Sequence, residues 1–290
     1  MGVKRAITTL VASRRRAISW RMGSSRLLVL AALAALSPVP AGAEALLARY
    51  EVRAAGLRVM EVEVRFELDG SRYRLRVHTR NTGLAGMLTQ SEQVTVAEGA
   101  WRGAEPVPAR YRAEGQGRSG PRRTALDWPT PTRPVLRALE PPIEPDREPV
   151  PEGLRANTVD ALSALAKLTR TVARTGRCDA SAAVYDGRRR ADYTARTEGV
   201  QDLPRDGLHA GPALRCAFES RLLAGQRSER EADWARKPQQ ATAWLARPLP
   251  GREAIPVRIE MPSRWFGTIR AVLAEVTPLP SGQDVAEKRD

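Results

Sequence analysis

The stretch Glu61-Val62-Glu63-Val64-Arg65-Phe66-Glu67-Leu68-Asp69-Gly70-Ser71-Arg72-Tyr73-Arg74-Leu75-Arg76-Val77-His78 decides the fold class. Apolar and charged residues alternate with period two on both sides of Asp69-Gly70, the spacing that sends neighbouring side chains to opposite faces of a strand. Asp-Gly between two such runs is a two-residue hairpin signal. With Asp69-Gly70 as the turn, Phe66 lies opposite Tyr73, Val64 opposite Leu75 and Val62 opposite Val77 on one face. On the other face Glu67 meets Arg72, Glu63 meets Arg76 and Glu61 meets His78, while Arg65 opposes Arg74. Such pairs contribute about 0.2–1 kcal/mol each. His78 is then a solvated face residue.

The same alternation continues outward. Strands are predicted at 46–55, 89–98, 107–116, 121–128, 179–186, 189–198, 213–223, 240–247, 254–261 and 265–276, with a second hairpin at Asp186-Gly187. One segment has helical spacing instead. Val159, Leu162, Leu165, Ala166, Leu168 and Val172 predict an amphipathic helix over 157–174, capped by Asn157, with Asp160 at its third position and Gly176 stopping it. Eight prolines between Pro129 and Pro151 leave too few amide donors for a sheet interior and predict a long surface loop. The expectation is a mainly β domain over 44–280, a strongly curved antiparallel sheet or incomplete β-barrel, with the helix on its concave face. The tail 281–290 reads as disordered.

Ahead of the strands, Arg21 and Arg26 precede the apolar run Leu27–Leu36, then Pro38, Pro40 and Ala41-Gly42-Ala43. That order reads as a signal peptide over 1–43 with cleavage after Ala43, and Met22 is a second candidate start. The apolar run is well short of the ~20 residues that span a bilayer, so the mature chain is expected not to span one. The 290 residues carry 47 Lys+Arg against 33 Asp+Glu, a net +14. Seven of these cations lie in the leader, and their removal leaves about +7. Forty-three of the 47 are arginine, so the charge reflects composition as much as selection. Aromatic content of 5% leaves few stacking platforms, and with export it disfavours nucleic acid. Cys178 and Cys216 are the two cysteines; in an oxidising periplasm they read as a disulfide, with two buried thiols as the alternative.

No reaction can be assembled from these residues. With only two His and two Cys, a zinc ribbon, a multi-His metal site or an iron–sulfur cluster is nearly excluded. Gly-x-Ser-x-Gly, phosphate-loop and dinucleotide motifs are absent, and His209 sits in a glycine-flanked loop. Glu63 with Glu67, or Asp127 with Glu114, are ordinary strand carboxylates, and Ser163 is a small helix–sheet contact. No catalytic residue, cofactor or metal is assigned. Arg188-Arg189-Arg190 is the sharpest charge cluster, a hairpin shoulder or an anion contact. Trp101, Trp128, Trp234, Trp244 and Trp265 fill a core or line a cavity; Leu162, Leu165, Trp244 and Trp265 are the cavity candidates.

Several stretches in order resemble an uncharacterised family of exported bacterial proteins, domain-of-unknown-function 3108. They are Tyr50-Glu51-Val52 with Gly56-Leu57; Asn81-Thr82-Gly83-Leu84; Arg147-Glu148-Pro149-Val150-Pro151 leading to Val159-Asp160-Ala161-Leu162-Ser163-Ala164-Leu165; Cys178-Asp179; Val184 through Arg190; and Ile255 through Glu260 with Phe266-Gly267. Ala161 stands where the family pattern often has proline. The resemblance covers about 46–277 and implies a periplasmic β protein with no established activity. At fold level the chain is also similar to the half-barrels that carry lipoproteins across the periplasm. The expected function is non-enzymatic: binding an apolar or lipid-like ligand, or assisting envelope assembly. The alternatives are an envelope scaffold with a filled core and a protein partner, or an uncharacterised enzyme.

Overall fold

A computed structural model describes residues 45–88, 91–117, 120–143, 147–226, 237–263 and 265–279. All belong to the unit that begins at Gly42. The leader 1–43, Trp234 and the tail 281–290 lie outside these described residues.

Alternating sequence becomes alternating structure. The strands are β1 (Ala45–Ala54), β2 (Leu57–Leu68), β3 (Arg72–Asn81), β4 (Glu92–Arg102), β5 (Glu105–Gly117), β6 (Gly120–Thr130) and β7 (Arg133–Glu140), then β8 (Ala180–Tyr185), β9 (Arg190–Leu203), β10 (Gly211–Ala224), β11 (Gln239–Ala246), β12 (Ile255–Ser263) and β13 (Gly267–Leu279). Helices are α1 (Gly83–Leu88), α2 (Glu152–Arg155) and α3 (Ala161–Thr175). The strands form one antiparallel sheet in the order β7-β6-β5-β4-β3-β2-β1-β13-β12-β11-β10-β9-β8. Two runs of hairpins are thus joined where β1 pairs with β13. The sheet does not close into a barrel; β7 and β8 are its edges.

The β2–β3 hairpin forms with a different register. Phe66 pairs with Leu75, Val64 with Val77, Leu68 with Tyr73 and Glu63 with His78, two residues further along β3 than expected. A two-residue slip leaves every side chain on its face, and Phe66, Tyr73 and Leu75 are all buried. Asp69 is the reason. It stands before the turn rather than inside it: its N–H donates to Arg72 O at 3.0 Å, and its Oδ1 accepts from the N–H groups of Ser71 (2.6 Å) and Arg72. Gly70-Ser71 then make the turn. His78 lies on a charged surface, with Nε2 2.5 Å from Glu92 Oε1.

The helix starts four residues later than the periodicity suggests. Asp160, not Asn157, is the cap, accepting from Leu162 N–H and Ser163 N–H at 2.9 Å each. Asn157 has φ +56° and turns the chain, and its N–H donates to Thr132 O at 2.7 Å. Val159 is therefore free to pair in parallel with Val184 of β8. Gly176 ends the helix in the left-handed conformation, its N–H on Val172 O.

The Pro-rich stretch is not all loop, since β7 lies within it. This is an edge strand with β6 as its strand partner, the position where Pro134 and its missing donor are tolerated.

The sheet curls around α3. One buried cluster joins Ala166 of the helix to Leu46, Tyr50, Phe66 and Leu75 in β1–β3, and to Trp244, Ile255 and Leu273 in β11–β13. A second joins Leu168 and Val172 to Ala195, Cys216, Ala243 and Leu245. A single four-turn helix can share clusters with strands so far apart only if the sheet wraps it. Cys178, just after the helix, is bonded to Cys216 of β10, with Cα atoms 6.1 Å apart.

Candidate functional site

Where β7 and β8 fail to meet, the seam is sealed from within the chain. Val159 N–H donates to Ala183 O (2.8 Å) and Tyr185 N–H to Val159 O (2.9 Å). Trp128 Nε1–H donates to Thr158 O at 2.9 Å, and Arg155 lies over the Tyr185 ring. Gly187, at φ +93°, brings the β8–β9 turn so close to β6 and β7 that a Cβ there would sit 2.7 Å from the Thr124 methyl.

Beside the sealed part, α3, β8 and β9 leave an apolar groove of about 190 Å³. Its helix wall is Ala161, Ala164, Leu165 and Leu168, spaced i, i+3, i+4, i+7 as one helical face requires. Its strand wall is Ala180, Ala182 and Val184, spaced by two, with Tyr193, Ala195 and Phe218 completing it. Five of these residues are alanines, whose short side chains leave the space open. Lys167 sits at one lip, its ammonium donating to Glu105 Oε2 (2.7 Å) and Ser181 O (2.9 Å). Together with the Val159 pairing, this occupies Ser181 O, Ala183 O and Tyr185 N on the outer edge of β8. That edge is thereby blunted against strand addition.

Of the expected cavity residues, only Leu165 lines this groove. Leu162 and Trp244 pack into the core, and Trp244 Nε1–H donates to Gln201 Oε1 at 3.0 Å. Trp265, also expected at a cavity, instead lies three-quarters exposed in the β12–β13 turn. Trp101 stacks at a tilt on Tyr73, 4.8 Å between centroids, under the Arg170 guanidinium. The arginine triplet is divided. Arg188 is buried and donates to the Pro141 and Pro142 carbonyls. Arg190 is buried against Leu154 O (3.1 Å) and Asp192 (2.8 Å). Arg189 alone points to solvent, so the three make no anion clamp together. Two of them are seam struts.

The carboxylates considered for acid–base work are ion-pair partners. Glu63 meets Arg49 at 3.0 Å, Glu67 meets Arg65 at 2.6 Å and Glu114 meets Arg123 at 3.1 Å. Hydrogen bonds from Arg112 and Arg137 hold the Asp127 carboxyl below its ordinary range. His209 Nε2 lies 3.1 Å from Pro212 O within its own loop. Among the described residues no group of three or more His, Cys, Asp or Glu is gathered to hold a metal. No helix among them is long and apolar enough to cross a membrane.

Residues 49–274 match the family described as Protein of unknown function (DUF3108). The chain belongs to that family. No curated protein matches this DUF3108 chain. Among solved structures it is similar to the crystal structure of a β-barrel-like protein of domain of unknown function DUF1849 from Brucella abortus. The identity is 13%, over 82% of this chain and 98% of that one, with a TM-score of 0.47.

One buried polar chain in this DUF3108 protein escapes a sequence reading. Tyr73 Oη lies 2.7 Å from Ser163 Oγ, and Ser163 Oγ donates to Asp160 Oδ2 at 2.5 Å. Asp160 and Ser163 are fully buried. Desolvation pushes the Asp160 carboxyl above its ordinary value, against the hydrogen bonds from Ser163 and Leu162 that favour the charged form. Desolvation likewise raises Tyr73. The three groups tie the start of α3 to β3, with Ser163 buried between the other two. The spacing Asp-x-x-Ser was the available signal, and Asn157 drew attention from it.

Proposed function

We propose that this is an exported, non-enzymatic protein of the periplasm that holds a short hydrocarbon segment in the groove between α3 and β8–β9. The groove carries the reading: it is walled by apolar side chains along both a helix and a strand. An apolar cavity of about 150 Å³ is enough to bind benzene, so about 190 Å³ suits an alkyl segment or a ring rather than a whole lipid. The core under α3 is filled by Leu162, Ala166 and their partners, which favours a ligand beside the seam over one inside the sheet. The Cys178–Cys216 bond fits an oxidising compartment.

The test uses protein purified from an exporting bacterium without detergent. Native mass spectrometry and organic extraction should recover an alkyl-bearing species, and the fluorescent fatty acid cis-parinaric acid should bind. Ala164→Trp and Ala182→Phe fill the groove and should weaken that binding at least tenfold with the fold intact. Equal binding by wild type and both variants sinks the reading. The filled core favours a second reading, an envelope scaffold with a protein partner; a crosslinked envelope protein without any bound alkyl species would support it.

A further inference from the structure

Large apolar side chains are exposed together on one rim of the sheet. Met87 is 83% exposed, Trp265 76%, Leu57 57% and Phe266 56%. Met87 belongs to α1 between β3 and β4, Leu57 is the first residue of β2 directly after the β1–β2 turn, and Trp265-Phe266 lie in the β12–β13 turn. The strand order places these side by side, because β3, β2, β1, β13 and β12 are consecutive neighbours. Register puts them at the same end. Met60 pairs with Asn81, Arg53 with both Arg58 and Arg270, and Ser263 with Gly267. The tips are built features. Thr82 N–H donates to Val59 O at 3.0 Å, and Gly83, at φ +59°, lets α1 sit where a Cβ would be 2.7 Å from Arg58 O. Ser263 Oγ accepts from Trp265 N–H and Phe266 N–H at 3.4 Å.

Directly behind the tips, Arg58, Arg53 and Arg270 stand in one cross-strand row on β2, β1 and β13. All three are about half-exposed, as is Arg80 on β3. Arg53 pairs with Glu51, Arg58 with Glu51 and Glu61, Arg80 with Glu61, and Arg270 with Glu260 and Asp206. A guanidinium has five donors, more than the one or two that these ion pairs engage.

We propose that this rim docks on the surface of an anionic phospholipid bilayer. The tips would enter the headgroup layer, and Arg53, Arg58 and Arg270 would meet lipid phosphates. A Trp and a Phe beside Leu and Met match the chemistry of the interfacial zone, where amphipathic rings settle at headgroup level. Arginine stems lie along apolar surface while their heads reach phosphate. Apolar residues divided among three protruding turns suit a fluid layer that closes around each, whereas a protein partner is gripped through a continuous packed centre.

The experiment is flotation of the full mature protein with vesicles of phosphatidylglycerol and phosphatidylethanolamine, compared with phosphatidylcholine vesicles. Wild type should float with the anionic vesicles and lose binding as salt rises. The double variant Trp265→Ala, Phe266→Ala should bind about tenfold or more weakly. Arg53→Gln with Arg58→Gln should lose about fivefold per arginine on anionic vesicles only. Val200→Ser removes an exposed apolar residue in β9 away from the rim and should change nothing. Circular dichroism and thermal unfolding establish that each variant is folded. Failure of wild type to float, equal floating of the aromatic double variant, or a crosslinked protein partner at position 265 without vesicle binding would overturn the proposal. Vesicle binding does not depend on the α3 groove, so Ala164→Trp should float normally.

Discussion

The two runs of hairpins meet twice, by different means. At the centre β1 and β13 join through a backbone ladder from Ala45↔Leu279 to Arg53↔Arg270. At the seam β7 and β8 share no ladder; their gap is bridged by Val159, by Trp128 on Thr158, and by buried Arg188 on the Pro141 carbonyl. A ladder pairs backbone to backbone along its length, here with a single register shift between Arg49 and Tyr50. Beside that seam, where α3 lies against β8 and β9, alanine side chains leave the groove open. The sheet is thus continuous where β1 and β13 pair, and a groove lies beside the edge strand β8.

Removing the disulfide should separate the two joins most clearly. Cys178→Ser with Cys216→Ser frees a 38-residue loop at the seam and should cost about 4 kcal/mol in chemical denaturation. Hydrogen exchange should rise in β8 and the end of α3 before it rises in β1 or β13. At the centre, Leu273→Ala removes a fully buried side chain of β13 and should cost about 3 kcal/mol. Here protection should fall in both halves together. Uniform loss in the first case, or loss confined to β13 in the second, would erase the distinction.

Asp160 gives the smaller effect and a pH signature. Asp160→Ala removes the cap of α3 and leaves Ser163 Oγ with one partner fewer, at about 2 kcal/mol. Asp160→Asn keeps an acceptor for the N–H groups and should cost under about 1 kcal/mol. The carboxyl titrates above the ordinary aspartate value of 3.8 when folded. Its contribution is therefore full below that value and declines as pH rises through the folded pKa. Wild-type stability should fall relative to Asp160→Asn across that interval; a constant difference from pH 3 to pH 7 would show that Asp160 has no such shift.

Face and strand content were legible because period-two alternation is a strong signal, but register was not. Both registers of β2–β3 put Val64, Phe66 and Leu75 inward, and the hydrogen bonds that the Asp69 side chain accepts from Ser71 and Arg72 N–H chose between them. β7 was hidden because prolines argue against strands in general and not against edge strands. The groove was illegible for a related reason: Ala161, Ala164, Ala180 and Ala182 carry little hydrophobic signal, and their effect comes from the volume they leave. Large residues drew attention instead. Trp265 proved to face solvent, and Arg188 and Arg190 face backbone carbonyls.

The pairing of β1 with β13 also sets an order of events. Residues 45 and 279 are partners, so the central ladder closes a loop of nearly the whole described chain, whereas each hairpin around it closes locally. Contacts of such long range are slow to form. A polypeptide that emerges from the ribosome N-terminus first can build β1 through β7 while the rest is still arriving. During that wait β1 presents one unpaired edge to every neighbouring chain. β13 is therefore the strand that ends the exposure, and a delay shortly before it emerges should be punished by aggregation more than a delay early on.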